Sequence, residues 1–155
     1  MFHIVLSEPE IPPNTGNVIR LCANSGARLH LVKPLGFTLE ARQLQRAGLD
    51  YHDLVHVQVH EDMNACLRTL EGSRLFVIET TGAKRYTEQT FQRGDALIFG
   101  SETRGLGAAW AAAVPAQQWL HIPMANATRS LNLSNSVALV LYEAWRQQDF
   151  AGAGR

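Results

Sequence analysis

The chain has 155 residues, 46% of them apolar, and a formal net charge of zero. That is the size of one ordinary domain with enough apolar residues for a core. Neutrality argues against a monomer that grips nucleic acid by charge alone, since such binders are usually basic. Of the 14 cationic residues only Lys33 and Lys84 are lysine; the rest are arginine, which suits fork-like contacts to phosphate or carboxylate. No apolar run is long enough to span a membrane, and no basic stretch opens the chain in the manner of a signal peptide. A cytoplasmic protein without a membrane partner is expected.

In chain order, residues 2–6 (FHIVL) read as a short buried strand, and residues 7–17 as a loop with three prolines. A helix is expected from about residue 17 to 25, with Val18, Leu21 and Cys22 on one face and Gly26 as its stop. Residues 29–32 form a second strand. Residues 39–47 are helical up to Gly48. Residues 54–59 alternate Val55, Val57 and Val59 with His56, Gln58 and His60, the pattern of a third strand. A helix over 61–70 and a strand over 75–80 follow. The polar stretch 81–95 is long for a connection in a compact domain, and such loops are usually functional. A fifth strand (96–99), a helix (107–113), a sixth strand (119–122) and a last helix (133–148) complete the pattern, with 151–155 as a disordered tail. Strands alternating with helices indicate an α/β fold, a single-domain parallel sheet flanked by helices over residues 1–150.

Three polar strand ends stand out. They are Pro13-Asn14-Thr15-Gly16-Asn17, Gly100-Ser101-Glu102-Thr103-Arg104-Gly105-Leu106, and the run from Ile122 through Ser130, Asn132, Ser134 and Asn135 into the last helix. One or two such residues serve as a helix cap; the others look like donors and acceptors around a ligand. Ligands of open α/β sheets sit at the carboxyl ends of strands, so the three loops point to one composite site. The second is neither a P-loop, lacking Gly-Lys-Ser/Thr, nor a dinucleotide fingerprint, lacking GxGxxG. Glu102 near a helix start also suits a capping charge. Arg20, one turn into the first helix, is either a surface arginine or an anchor for a phosphate or hydroxyl.

No metal is expected. His52, His56 and His60 have a tempting spacing, but no carboxylate or cysteine sits at matching ligand distance along the chain. They read as solvated histidines, His56 and His60 on one strand face and His52 in the turn before it. Cys22 and Cys66 lie in apolar-periodic segments without a CxxC and read as buried free thiols.

Taken together, Asn14-Thr15-Gly16-Asn17-Val18-Ile19-Arg20, Ile98-Phe99-Gly100-Ser101-Glu102-Thr103-Arg104-Gly105-Leu106, and Ile122-Pro123-Met124 with Arg129-Ser130-Leu131-Asn132-Leu133-Ser134-Asn135-Ser136 resemble the motifs of the SPOUT class of RNA 2′-O-methyltransferases. The resemblance extends to about Phe150. The short length and the stretch Arg46-Ala47-Gly48-Leu49-Asp50-Tyr51 look like the members that act on the tRNA wobble nucleotide. The resemblance implies a C-terminal trefoil knot, which no pattern rule predicts because knots are nearly absent from proteins. It implies S-adenosylmethionine as methyl donor, held at Ile78, Gly100, Ile122 and Ser130, and a homodimer in which Arg20 of one subunit faces the donor of the other. The substrate implied is the ribose 2′-hydroxyl of cytidine or modified uridine at the first anticodon position, in leucine isoacceptors, held by the anticodon stem-loop; DNA is not implied.

The catalytic set is then Arg20, Asn14, Glu102 and Asn132. A guanidinium seldom gives up its proton, so Arg20 is read as an orienting or oxyanion-stabilising donor, with Asn14 and Asn132 holding the hydroxyl and Glu102 fixing the donor loop or Arg20. Arg129, Arg104, Lys84 and Arg85 are candidates for the RNA face. Three alternatives remain: methylation of another tRNA or rRNA nucleotide, a non-catalytic knotted RNA-binding dimer, and a flavodoxin-like small-molecule binder.

Overall fold

The computed structural model describes residues 1–126 and 128–155. The elements in order are β1 (His3–Ser7), α1 (Pro12–Ser25), β2 (Arg28–Val32), α2 (Ala41–Arg46), α3 (Tyr51–Leu54), β3 (Val57–His60), α4 (Met63–Thr69), β4 (Leu75–Ile78), β5 (Lys84–Arg85), β6 (Ala96–Phe99), α5 (Ala108–Ala113), β7 (Trp119–His121) and α6 (Leu133–Gln147). The strands form one sheet in the order β3-β2-β1-β6-β4-β7-β5. Every pairing is parallel.

The central strands are buried on both faces and read as unbroken apolar runs, as the four residues of β6 do. Helices α1 and α6 cover one face with Val18, Ile19, Cys22, Val137, Val140 and Leu141. The other face buries Val5, Val32, Val77 and Ile98 under Cys66 and Leu70, from α4 and just beyond it, and under Trp110 of α5. The indole of Trp110 donates to Ser7 Oγ at 2.9 Å, so its one polar atom is satisfied inside the core. Strand β7 lies between β4 and β5, which precede it in the chain. A late strand seated between two earlier ones is the layering that a threaded C-terminal segment requires.

Three expectations change. The first helix begins at Pro12, not near residue 17, so Asn14 to Asn17 are helical rather than loop. Proline suits the first helical position because its missing N–H has no partner there anyway. The usual local cap is absent; what replaces it comes from residue 102 and cannot be seen in nearby sequence. Helix α6 starts at Leu133 as expected, with Asn132 as its cap and Ser130 in the loop before it. The stretch 81–95 is not a free loop. It adds the edge strand β5, and it docks through buried Phe91, whose N–H donates to Gln147 Oε1 at 2.8 Å and whose ring meets Phe76 edge-on.

The histidine reading is corrected most. Residues 51–54 form α3, closed by a capping box in which Asp50 and Asp53 each accept the other's backbone N–H. His52 therefore sits on a helix, and β3 starts only at Val57. The expected alternation holds only in part: Val57 is half-buried against the core and Gln58 is exposed, but at the end of the strand Val59 is exposed and His60 is buried. Nitrogens of His60 and His30 lie 2.9 Å apart, and those of His30 and His3 3.0 Å apart, a row across β3, β2 and β1. Burial, with His3, His60 and Arg28 nearby, pushes His30 down to about 3, so the ring is neutral at ordinary pH. Both cysteines are buried free thiols, as expected.

Candidate active site

At the carboxyl ends of β4, β6 and β7 a cavity of about 380 Å³ opens. That size is in the range of small-molecule sites. Ile78, Phe99, Ile122 and Leu133 give it apolar walls, and Asn14, Ser101, Ser130, Asn132 and Ser136 give it hydrogen-bonding groups. Its charged lining residues are Glu79 and Glu102; among the described residues no Lys, Arg or His lines it.

The loop after β6 forms its floor. Ser101 and Gly105 exchange both backbone hydrogen bonds at 3.0 Å, folding 101–105 into a tight turn. Gly100 is packed against the far side of that turn: a Cβ there would lie 2.2 Å from the Gly105 carbonyl carbon. Only glycine lets the two backbone strands approach so closely. Glu79, at the end of β4, accepts the Leu106 N–H at 2.8 Å and so holds the turn from below.

A reciprocal clasp joins this loop to the start of α1. Glu102 accepts the backbone N–H groups of Glu10 at 2.8 Å and Ile11 at 3.0 Å. Its negative charge meets the positive end of α1, which supplies no cap of its own. In return Glu10 accepts the N–H of Thr103 at 3.2 Å and its hydroxyl at 2.8 Å. These bonds hold the Glu10 carboxyl below the usual carboxylate range. The expected capping role of Glu102 is real, but for α1 rather than for the helix that follows it in sequence.

Two asparagines continue the chain of bonds. Asn132 caps α6, its Oδ1 accepting the Asn135 N–H at 3.2 Å and the Ser134 hydroxyl at 2.7 Å. With that oxygen occupied, its Nδ2 donates to Asn14 Oδ1 at 2.9 Å. Asn14 Nδ2 in turn reaches toward Glu102 at 3.4 Å. Both amides are thereby oriented by partners from distant parts of the chain.

The model of the SpoU rRNA methylase family matches residues 1–142. The chain belongs to the SpoU methylase family. It is therefore a methyltransferase of the SPOUT class. It is 58% identical over 153 residues to a tRNA (cytidine(34)-2′-O)-methyltransferase of Methylovorus glucosotrophus, with 99% of each chain covered. A protein of the same name from Escherichia coli K12 is 52% identical, covering 99% of this chain and 98% of its own. A solved structure concerned with the 2′-OH methylation of C/U34 on tRNA superposes with a TM-score of 0.87 at 45% identity, covering 96% and 97% of the two chains.

In this SpoU-family chain the residues expected to hold the methyl donor, Ile78, Gly100, Ile122 and Ser130, all line the one cavity, together with Asn14, Glu102 and Asn132. Arg20 does not. It lies six positions beyond Asn14 on α1, which at 100° per residue turns it to another side of the helix. There it borders a second cavity of about 360 Å³ with Thr15, Phe37, Leu39 and Leu49. Its side chain is 53% exposed, donates to the Gly48 carbonyl and stands 4.0 Å from Asp53. Glu102 therefore holds the start of α1 rather than Arg20. Among the RNA-face candidates Arg85 is paired with Glu88 at 2.8 Å, Lys84 donates to Gln89, Arg104 stands 3.8 Å from Glu10, and Arg129 is exposed. Sequence reasoning missed Glu10 and Glu79. Each is an acidic residue just beyond a strand end, and that position was the available signal.

Proposed function

We propose that this chain transfers a methyl group from S-adenosylmethionine to the ribose 2′-hydroxyl of the wobble nucleotide of tRNA, cytidine or modified uridine, as a cytoplasmic homodimer. This is the activity of the TrmL group. Leucine isoacceptors and the anticodon stem-loop are the substrate we expect. No described helix is long and apolar enough to cross a membrane.

The observation that carries this reading is the charge of the cavity. Two carboxylates and no described cation line it. A nucleotide phosphate would meet repulsion there, whereas a positively charged sulfonium meets a favourable field. This also speaks against the flavodoxin-like alternative, since phosphate sites carry donors and positive charge. Apolar Ile78, Ile122 and Leu133 offer contact to a base and to a methylene chain, and the glycine turn at 100–105 offers backbone groups unobstructed by a Cβ. The residues present therefore fit the donor.

S-adenosylmethionine supplies an already activated methyl group, so the chemistry asks for alignment more than for a strong nucleophile, and for no metal. Asn14 and Asn132, oriented by Glu102 and by the start of α6, present amide groups beside the cavity that can hold the incoming ribose. Arg20 acts from the partner subunit, where its exposed guanidinium donates to the developing alkoxide or to the adjacent phosphate. Its position outside its own chain's cavity supports this trans arrangement. Joining two subunits also gathers arginines into one RNA face despite zero net charge.

The test is methyl transfer from labelled S-adenosylmethionine to tRNA lacking the modification, followed by nucleoside analysis. Label in 2′-O-methylated cytidine or uridine at the first anticodon position is expected. Label at another nucleotide would move the substrate. Donor binding without any transfer would leave a non-catalytic RNA binder.

A further inference from the structure

Edge strand β3 and helix α4 are thinly packed. His60 is the only fully buried residue of β3, and Cys66 the only one of α4. These two side chains meet His30 from the middle of β2. A ring nitrogen of each histidine and the Cys66 sulfur all lie within 4.8 Å of one another. All three residues are buried, at 2%, 4% and 0% exposure for His30, His60 and Cys66. Among the described residues no other group of three His, Cys, Asp or Glu side chains converges in this way. The same sheet face is otherwise filled by Val5, Val32, Val77 and Ile98, the residues a buried parallel sheet ordinarily uses. Packing alone does not call for two imidazoles and a thiol here.

We propose that His30, His60 and Cys66 bind one Zn²⁺ ion that clips β2, β3 and α4 together. Two imidazoles and a thiolate without a carboxylate form a donor set for zinc and its borderline neighbours, not for Mg²⁺ or Ca²⁺. The geometry selects the ligand atoms. His30 Nδ1 and His60 Nε2 face each other at 2.9 Å. Two nitrogens on a tetrahedral zinc sit roughly 3.3 Å apart, so the rings need to open by about 0.4 Å. His30 then keeps a proton on Nε2 and donates it to His3 Nδ1, 3.0 Å away. That is the outer partner a metal-bound histidine usually has, and it fixes the ring tautomer. Binding removes the thiol proton of Cys66 to solvent and replaces the S–H bond by a zinc–sulfur bond. Three protein ligands leave the fourth position to water. The cluster belongs to the β2–β3 side of the sheet, separated by β1 from the strands that carry the methyl-transfer cavity. Its role is to hold the fold's corner, not to enter the reaction.

The spacing that spoke against a metal was the absence of a cysteine or carboxylate near the histidines in register. Cys66 follows His60 by six residues and is brought back over the strand by the turn into α4. His30 comes from a neighbouring strand, and no local spacing rule reaches it.

The experiment uses tag-free full-length protein stripped with a chelator and titrated with Co²⁺. One Co²⁺ per chain is expected, with visible bands of tetrahedral intensity and a near-ultraviolet thiolate-to-cobalt charge-transfer band, all displaced by one equivalent of Zn²⁺. Zn²⁺ should also raise the thermal midpoint of the stripped protein. Cys66→Ser should lose the charge-transfer band and weaken metal binding by more than about tenfold, while Cys22→Ser keeps both. His60→Gln provides a second variant if Cys66→Ser does not fold. Absence of the charge-transfer band from the wild-type protein in excess Co²⁺, or an unchanged band in Cys66→Ser, would overturn the site and leave a hydrogen-bonded row of neutral imidazoles.

Discussion

Gly100 is the residue on which the cavity floor depends. A methyl group added there would stand 2.2 Å from the Gly105 carbonyl carbon and 2.4 Å from the Leu106 nitrogen. Both neighbours are backbone, pinned by the 101–105 turn and by Glu79, so neither can swing aside. Overpacking of this kind costs about 1–3 kcal/mol. Here the strain is relieved by displacing the turn that borders the cavity. Gly100→Ala should weaken S-adenosylmethionine binding by about tenfold or more in calorimetry, since 1.4 kcal/mol is a factor of ten. Gly107→Ala, where an added Cβ meets nothing within 4 Å, should bind as the wild type does. Equal affinity in the two variants would mean that the turn does not shape the donor site. The glycine's presence was legible in the sequence; that it faces a backbone, and not a ligand alone, was not.

At the scale of elements, what could be read ahead of the structure were segments whose signals are local. Helix α6 announced itself by its apolar period and the polar run before it, and six of the seven strands by short apolar stretches. What could not be read was set by distant partners. The start of α1 is fixed by Glu102, some ninety residues away, so the helix looked five residues shorter than it is. Strand β5 has only two residues, and it exists because β7 lies beside it. The burial of His60 depends on α4 crossing above it, whereas the alternating valines suggested the opposite face. Asn132 joins the two kinds of information: it is a local cap and a long-range partner of Asn14. Asn132→Ala should lose about 1 kcal/mol in denaturant unfolding, the usual cost of an N-cap. It also releases the Asn14 amide, so methyl transfer should fall by more than the loss of stability explains, with donor affinity little changed. Asn132→Asp, which keeps the cap but cannot donate to Asn14, should restore stability without restoring transfer. If it restores both, the asparagine pair orients nothing.

At the scale of the whole molecule the decisive feature is the separation of Arg20 from the cavity of its own chain. Asn14 and Arg20 share α1 but face different spaces, one the cavity at the strand ends and the other the pocket beside Phe37 and Leu49. A single chain thus carries both halves of the proposed machinery without assembling them, and a two-fold dimer can bring each arginine to the other subunit's cavity. Exposed Leu139 and Tyr142 on α6 leave apolar surface of the kind such an association covers. This arrangement makes a prediction that no within-chain mechanism shares. Arg20→Ala alone should abolish turnover while donor binding stays intact, and Gly100→Ala alone, assayed with the donor well below its weakened affinity, should lose most transfer through its cavity. In a heterodimer of the two, the cavity of the Arg20→Ala chain is whole and is served by the arginine of the Gly100→Ala chain. The other cavity lacks both. Random co-assembly at equal amounts makes half the dimers mixed, each with one working site of two, so about a quarter of wild-type activity should return. Co-expression of the two variants with separable tags and the labelled transfer assay on the unfractionated mixture measure this directly, and the isolated mixed species should show about half of wild-type activity. If Arg20 serves its own chain, or if the chain acts as a monomer, the mixture stays as inactive as its parts.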